Sequence, residues 1–198
     1  MNVLRRVRVP KVDPEAASFR CTGCGACCSE FWINVSAADV ARICDATGLS
    51  AIEVVEFTGE HLVDGEDDDD GWVLLGDTRS LMTLKTAPDE RVCQFLVDGL
   101  CSIYEARPRA CRLYPWDRDW LLGGHRSHIR LEILTDDCPY ETDGNVDIKT
   151  LLGEFDADDR ERDAFEEHLA EWEELGAPDD PIRFLQFVGL PLERREKR

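Results

Sequence analysis

The stretch Cys21-Thr-Gly-Cys24-Gly-Ala-Cys27-Cys28 places four thiols within eight residues. Gly23 and Gly25 let the backbone curl so that several sulfurs converge. Thiolates are soft, negatively charged donors, and a tetrahedral zinc site takes four of them at about 2.3 Å. Adjacent Cys27 and Cys28 are expected to direct their side chains apart, one serving a first ion while the other reaches a second or bridges the two. Further ligands are expected from Cys93, Cys101, Cys111 and Cys138, each beside a turn or short element and close to a Gly, Asp or Pro. Eight thiolates satisfy two tetrathiolate ions, a bridged multinuclear cluster or two iron-sulfur clusters, and the sequence leaves these open. The ferredoxin spacing C-x2-C-x2-C-x3-C-P is not reproduced, because Cys28 follows Cys27 directly and Cys138-Pro139 is remote. The radical-SAM spacing C-x3-C-x2-C fails where Phe31 stands.

The competing reading is a disulfide framework or buried thiols, which a reducing compartment disfavours. Cys44 is set apart: it shares the apolar side of a helix with Val40 and Ile43 and reads as core. Arg107 and Arg112 flank Cys111, where guanidinium groups offset surplus thiolate charge or pair with carboxylates such as Glu105 or Asp117. Tyr104 and Tyr114 either donate to sulfur or pack, and packing is the expectation. His125 and His128 are possible nitrogen ligands, but an i, i+3 pair on a strand points to opposite faces, so joint coordination needs a bend. His61 and His168 read as surface residues. No G-x-S-x-G, H-E-x-x-H or G-x-x-x-x-G-K-[ST] motif occurs, which argues against those hydrolase, zincin and nucleotidase chemistries.

The 198 residues suffice for one sizeable domain or one domain with an appendage, and 43% apolar residues suffice for a core. Acidic residues outnumber basic ones 42 to 23, for a net charge of -19, which disfavours nucleic acid as a partner. The cations are 19 Arg against 4 Lys. Carboxylates gather at 64–70 and again at 154–180, and this acidity with scarce lysine resembles proteins adapted to concentrated salt. The opening segment has no apolar run suited to a signal peptide, and no window approaches the length needed to span a bilayer. The expectation is a cytoplasmic protein with metal ions as partners, no membrane, and no protein partner identifiable.

Around the knot, residues 1–18 read as a mobile arm or edge strand. Ser36 and Asp39 cap a helix to about Thr47, stopped by Gly48. Ser50 and Glu53 start a second short helix ending near Gly59. Strands are expected at Trp72–Leu75 and Leu81–Thr86, a tight hairpin across Cys93–Cys101 with its turn at Asp98-Gly99, and a helical piece from Pro108. A second hairpin is expected about Gly123-Gly124. After Val146 the pattern turns helical: a short helix at Leu151 and Leu152, and a longer one presenting Phe165, Leu169, Trp172 and Leu175 and ending at Gly176. Asp180-Pro181 opens a last helix with Ile182, Leu185 and Val188 inward. The fold class expected is α+β: a small, loop-rich, metal-organised cysteine module at 19–145 with short hairpins and helices, plus a helical extension at 146–198 packed on it.

Several motifs together carry a family resemblance: Phe19 through Cys21, Cys24, Cys27 and Cys28; Cys93-Gln-Phe-Leu96; Cys101-Ser-Ile-Tyr-Glu-Ala-Arg-Pro108; Cys111-Arg112, Tyr114-Pro115 and Cys138. In these the chain resembles the YkgJ-type cysteine-cluster proteins, which carry a zinc- or iron-chelating CxxCxxCC domain. The resemblance covers roughly residues 19–140 and implies metal binding without a settled reaction. Flagellin lysine methylases look like relatives through the same cysteines, an analogy that keeps an iron-sulfur enzyme of electron transfer or protein-lysine methyl transfer as the alternative. Metal storage or delivery is a third reading.

Overall fold

Local signals in the sequence account for most of the short elements. The computed structural model describes residues 10–62, 71–87, 92–120, 127–135 and 138–195. The acidic run at 64–70, the Gly123-Gly124 turn and His125 lie outside the described residues. Strand β1 (Lys11–Val12) is followed by helix α1 (Pro14–Ser18), β2 (Arg20–Cys21) and α2 (Ala26–Glu30). Helix α1 was not expected: five residues show no period, and Pro14 at its first turn was the available signal.

Helix α3 (Ala37–Thr47) has the capping box its sequence announces, with Ser36 accepting from the Asp39 amide and the Asp39 carboxylate accepting from the Ser36 amide. Gly48 ends it at φ 78°, donating its amide to the Cys44 carbonyl at 2.8 Å. Its inner face buries Val40, Ile43 and Cys44 completely, so Cys44 is a core residue. The next helix is shorter than expected: α4 (Ala51–Val54) is one turn, and β3 (Val55–Gly59) takes over. The Val54-Val55 pair and Thr58 favour the pleat, and β-branched side chains find partners there that one more helical turn would not offer.

β3 pairs antiparallel with β5 (Thr78–Leu84), which also pairs with β4 (Trp72–Leu75), giving the order β3-β5-β4. The buried hydroxyls of Thr58 and Thr83 satisfy each other across the sheet at 2.9 Å. The expected hairpin is present as β6 (Leu96–Val97) and β7 (Leu100–Cys101), its turn carrying φ 51° at Asp98 and 78° at Gly99. After a 3-10 turn, Pro108 precedes α5 (Arg109–Leu113). Ser102 donates its hydroxyl to the Phe95 carbonyl at 3.0 Å. Strands β8 (Trp116–Trp120) and β9 (Ser127–Leu131) are antiparallel, and β1 joins β9 in parallel at the edge. Strand β10 (Tyr140–Glu141) pairs with β2.

The two helices expected after Val146 are one: α6 runs unbroken over Ile148–Glu174, capped by Asp147, which accepts from the amides of Lys149 and Thr150. Gly153 faces open space and is accommodated without a break. Twenty-seven residues span about 40 Å, enough to reach two cores. Leu151 and Phe155 pack with Ala16, Leu113 and Ile129, while Phe165, Leu169 and Trp172 join Val40, Ile43, Val54 and Met82. The Trp172 indole N–H donates to the Leu74 carbonyl at 2.7 Å. Helix α7 (Pro181–Phe187) buries Phe184 and Leu185, whereas Ile182, expected inward, is 49% exposed. The fold is α+β, with mixed helices and small sheets.

Candidate metal centre

Backbone conformation sets the first knot. Gly23 and Gly25 adopt φ of 72° and 78°, and the Gly23 amide donates to Cys21 Sγ at 3.3 Å. A Cβ on Gly25 would stand 3.4 Å from Leu96, so the bare glycine also admits the β6–β7 hairpin. The Cys93 amide donates to the Cys28 carbonyl at 2.8 Å, binding the hairpin arm to α2. Cys101 lies opposite Leu96 in the hairpin. Cys111 rides on α5, whose first amide, that of Arg109, donates to the Asp39 carboxylate at 2.9 Å. The Arg109 guanidinium binds Glu161 at 2.8 Å and also pairs with Glu154. Cys138 is brought in by β10, where Tyr140 faces Cys21, and by the Thr22 hydroxyl donating to the Pro139 carbonyl at 2.5 Å.

All nine cysteines are free thiols. Cys21 and Cys24 are exposed, Cys27, Cys28, Cys101, Cys111 and Cys138 half-buried, and Cys93 buried. Two adjoining groups follow from which thiols feel each other. Burial pushes the Cys111 thiol up, helped by the charges of Cys93, Cys27 and Cys101. Burial does the same for Cys93, with Cys101 and Cys27 adding to it. A hydrogen bond to Cys28 comes first in raising Cys27, then burial. Cys28, Cys101 and Cys111 also pack together against the larger core. The second group surrounds Cys138, raised by burial, by the charge and hydrogen bond of Cys24, and by Cys21 and Cys27. Cys27 is felt in both.

Among the described residues, no three Cys, His, Asp or Glu side chains stand close enough together, as placed, to hold a metal ion. Burial first, and the neighbouring thiols after it, favour the protonated form of Cys93, Cys111 and Cys138, because each ionisation makes the next more costly. A cation reverses that sign, so the donor set fits zinc or iron. For metal-free protein the linkage runs the other way. Unfolded thiols ionise near pH 8.5, the folded ones higher, so their stabilising contribution is present below about pH 8.5 and is lost as pH rises through the folded values. The Tm of the metal-free chain should therefore fall as pH is raised above about 8.5, and a flat profile to pH 10 would contradict these thiol environments.

Neither flanking arginine has its head group on the thiols in the way expected. Arg112 donates to the carbonyls of Arg107 and Glu105 and pairs with Glu154 at 3.6 Å, while Arg107 stacks 3.8 Å from the Tyr104 ring centre. Tyr114, expected to pack, also accepts the Leu134 amide on its hydroxyl at 3.3 Å. His128 is bonded to Asp13 at 2.8 Å, and His168 to the Ala164 carbonyl, so both have other partners. Asp39 is the residue that sequence reasoning missed. Its capping role was legible, but nothing local reveals that the same carboxylate also holds the start of α5. The acidic run of α6 is more than surface charge, since Glu154, Asp156, Asp159 and Glu161 receive Arg109 and Arg118.

The family model CxxCxxCC, described as "Putative zinc- or iron-chelating domain", matches residues 20–139. The chain belongs to the CxxCxxCC family. The chemistry described for that family is chelation of zinc or iron. The matched span of this CxxCxxCC protein begins in β2 and ends at Pro139, so it contains all eight thiols of the two groups and excludes α6 and α7. The chain matches no curated protein and no solved structure. No helix among the described residues is long and apolar enough to cross a membrane.

Proposed function

We propose that Cys21, Cys24, Cys27, Cys28, Cys93, Cys101, Cys111 and Cys138 hold zinc or iron in two adjoining sites that meet at Cys27. The observation carrying this is that free thiols from five separate stretches of chain adjoin one another without a disulfide. Bound metal supplies charge compensation and cross-links to a loop-rich region. The chain's own part is to present the sulfurs: α2 and α5 hold Cys28 and Cys111 against the larger core, and the β2–β10 pair holds Cys21 near Cys138. The principal role is that of a metal-organised binding module. Eight thiols kept free for metal suit a reducing compartment, which supports a cytoplasmic location.

The test is elemental analysis with thiol titration on untagged protein purified without oxygen. Zinc or iron at one or more ions per chain is expected, with the eight thiols protected until a chelator is added. Chelation should then speed amide exchange across residues 19–140 far more than in α6 and α7, since structural zinc contributes on the order of 10 kcal/mol to folding. A colourless, zinc-replete sample supports the structural role, while a brown, reducible one assigns an iron-sulfur centre and the enzymatic alternative. A chain free of both metals, or one with S–S links among these cysteines, overturns the proposal.

A further inference from the structure

A cavity of about 320 Å3 opens beside the cysteines, with Cys27 and Cys111 in its wall. Its body is formed by Phe31, Ile33, Tyr114, Trp116 and Leu134. The rings of Phe31 and Tyr114 face each other with centres 6.1 Å apart and planes at 52°. Sites of this kind bind small molecules when a few polar groups converge on an apolar slot. Here those groups include Asp117 and Glu132, contributed by β8 and the residue after β9.

The charge balance of that polar side selects the ligand. Arg130 is shared among three carboxylates, standing 2.8 Å from Asp117, 3.2 Å from Asp119 and 3.8 Å from Glu132. One guanidinium against three carboxylates leaves a net charge of about minus two. Among the described residues no cationic side chain lines the cavity. An anion is therefore repelled by the carboxylates. A neutral apolar molecule fills the slot without using the charge. A protonated amine on a flat body uses both, through the carboxylates and through the aromatic faces.

We propose that this cavity binds a small protonated amine carried on an aromatic ring, with the ammonium toward Asp117 and Glu132 and the ring packed against the apolar wall that Phe31 and Tyr114 form together. The volume suits one ring with a short chain. A ligand seated there lies against Cys27 and Cys111, and its place beside a metal rests on the reading given above, whereas the binding itself does not.

The test compares three molecules of one shape on the untagged full chain at low ionic strength, with metal content measured on the same sample: 2-phenylethylamine, 2-phenylethanol and 3-phenylpropionate. Calorimetry and tryptophan fluorescence report binding. The amine is expected to bind about fivefold tighter than the alcohol, and the carboxylate more weakly than either. About 1 M salt should erase the preference. Glu132→Gln, at a half-exposed side chain, should lower amine affinity about two- to threefold and leave the alcohol unchanged. Leu134→Arg, at a residue 60% exposed, should abolish the amine preference without disturbing the fold. No binding, or binding indifferent to head group and to both variants, overturns the proposal. Amine preference in a chain that holds no metal supports the cavity and overturns the metal reading instead. A metal-replete chain without the preference does the opposite.

Discussion

Replacing Cys27 by serine should cost the protein metal from both sites at once, whereas Cys101→Ser and Cys138→Ser should each deplete one. The expectation follows from position. Cys27 contributes to the raised proton affinity of Cys93 and Cys111 on one side and of Cys138 on the other. A serine hydroxyl keeps the size of the thiol but not its softness, so the backbone of α2 survives while the donor is lost. Metal per chain after desalting, compared across the three variants, measures this. Cys44→Ser is the control in the opposite sense. Cys44 is fully buried beside Val40 and Ile43, so a hydroxyl there should destabilise by roughly 1–3 kcal/mol. Its metal content should not change. If Cys27→Ser retains full metal, the two groups are independent and the shared position is wrong.

What the sequence reveals here is what neighbouring residues decide between themselves. The Asp98-Gly99 turn, the Ser36 and Asp39 capping box and the Gly48 stop are each settled within a few residues, and each is found where the sequence puts it. The eight candidate thiols were legible as a set because cysteines in this number and spacing have few other uses. Boundaries decided at a distance were not legible. Whether Val55–Gly59 continues a helix or joins a sheet depends on β5, more than twenty residues later. Whether α6 breaks at Gly153 depends on two cores that it must span. Asp39 illustrates the same limit within one side chain, since its bond to the Ser36 amide is local and its bond to the Arg109 amide crosses 70 positions. The pairing of Arg109 and Arg118 with the carboxylates of α6 likewise turns what composition presents as surplus charge into the contact between the helix and the cysteine module.

Gly144 carries the second large effect, and nothing in its surroundings in the chain distinguishes it from an ordinary loop glycine. A Cβ placed there would lie 2.5 Å from the Phe19 carbonyl oxygen, 3.0 Å from its carbon and 3.1 Å from the Ser18 oxygen. All three are backbone atoms, so no side chain can rotate away. The close approach exists because the Gly144 amide donates to the Ser18 carbonyl at 2.8 Å and the Val146 amide to the Ala17 carbonyl at 3.0 Å, tying this segment to the end of α1 just beyond the pair that sets Tyr140 opposite Cys21. Gly144→Ala must therefore push the 138–146 segment off the strand that carries Cys21. A loss of about 2 kcal/mol is expected from the overpacking, together with weaker metal binding by Cys21, Cys24 and Cys138 and unchanged binding by Cys93, Cys101 and Cys111. Gly153→Ala gives the contrast: that position is an exposed helix interior with no atom within 4 Å, and alanine should stabilise it by about 0.5–1 kcal/mol. Thermal unfolding and metal titration of the two variants separate a glycine required by a neighbour's backbone from one that is merely tolerated. Equal Tm values for both would mean that the 138–146 segment yields freely and does not hold Cys138 in place.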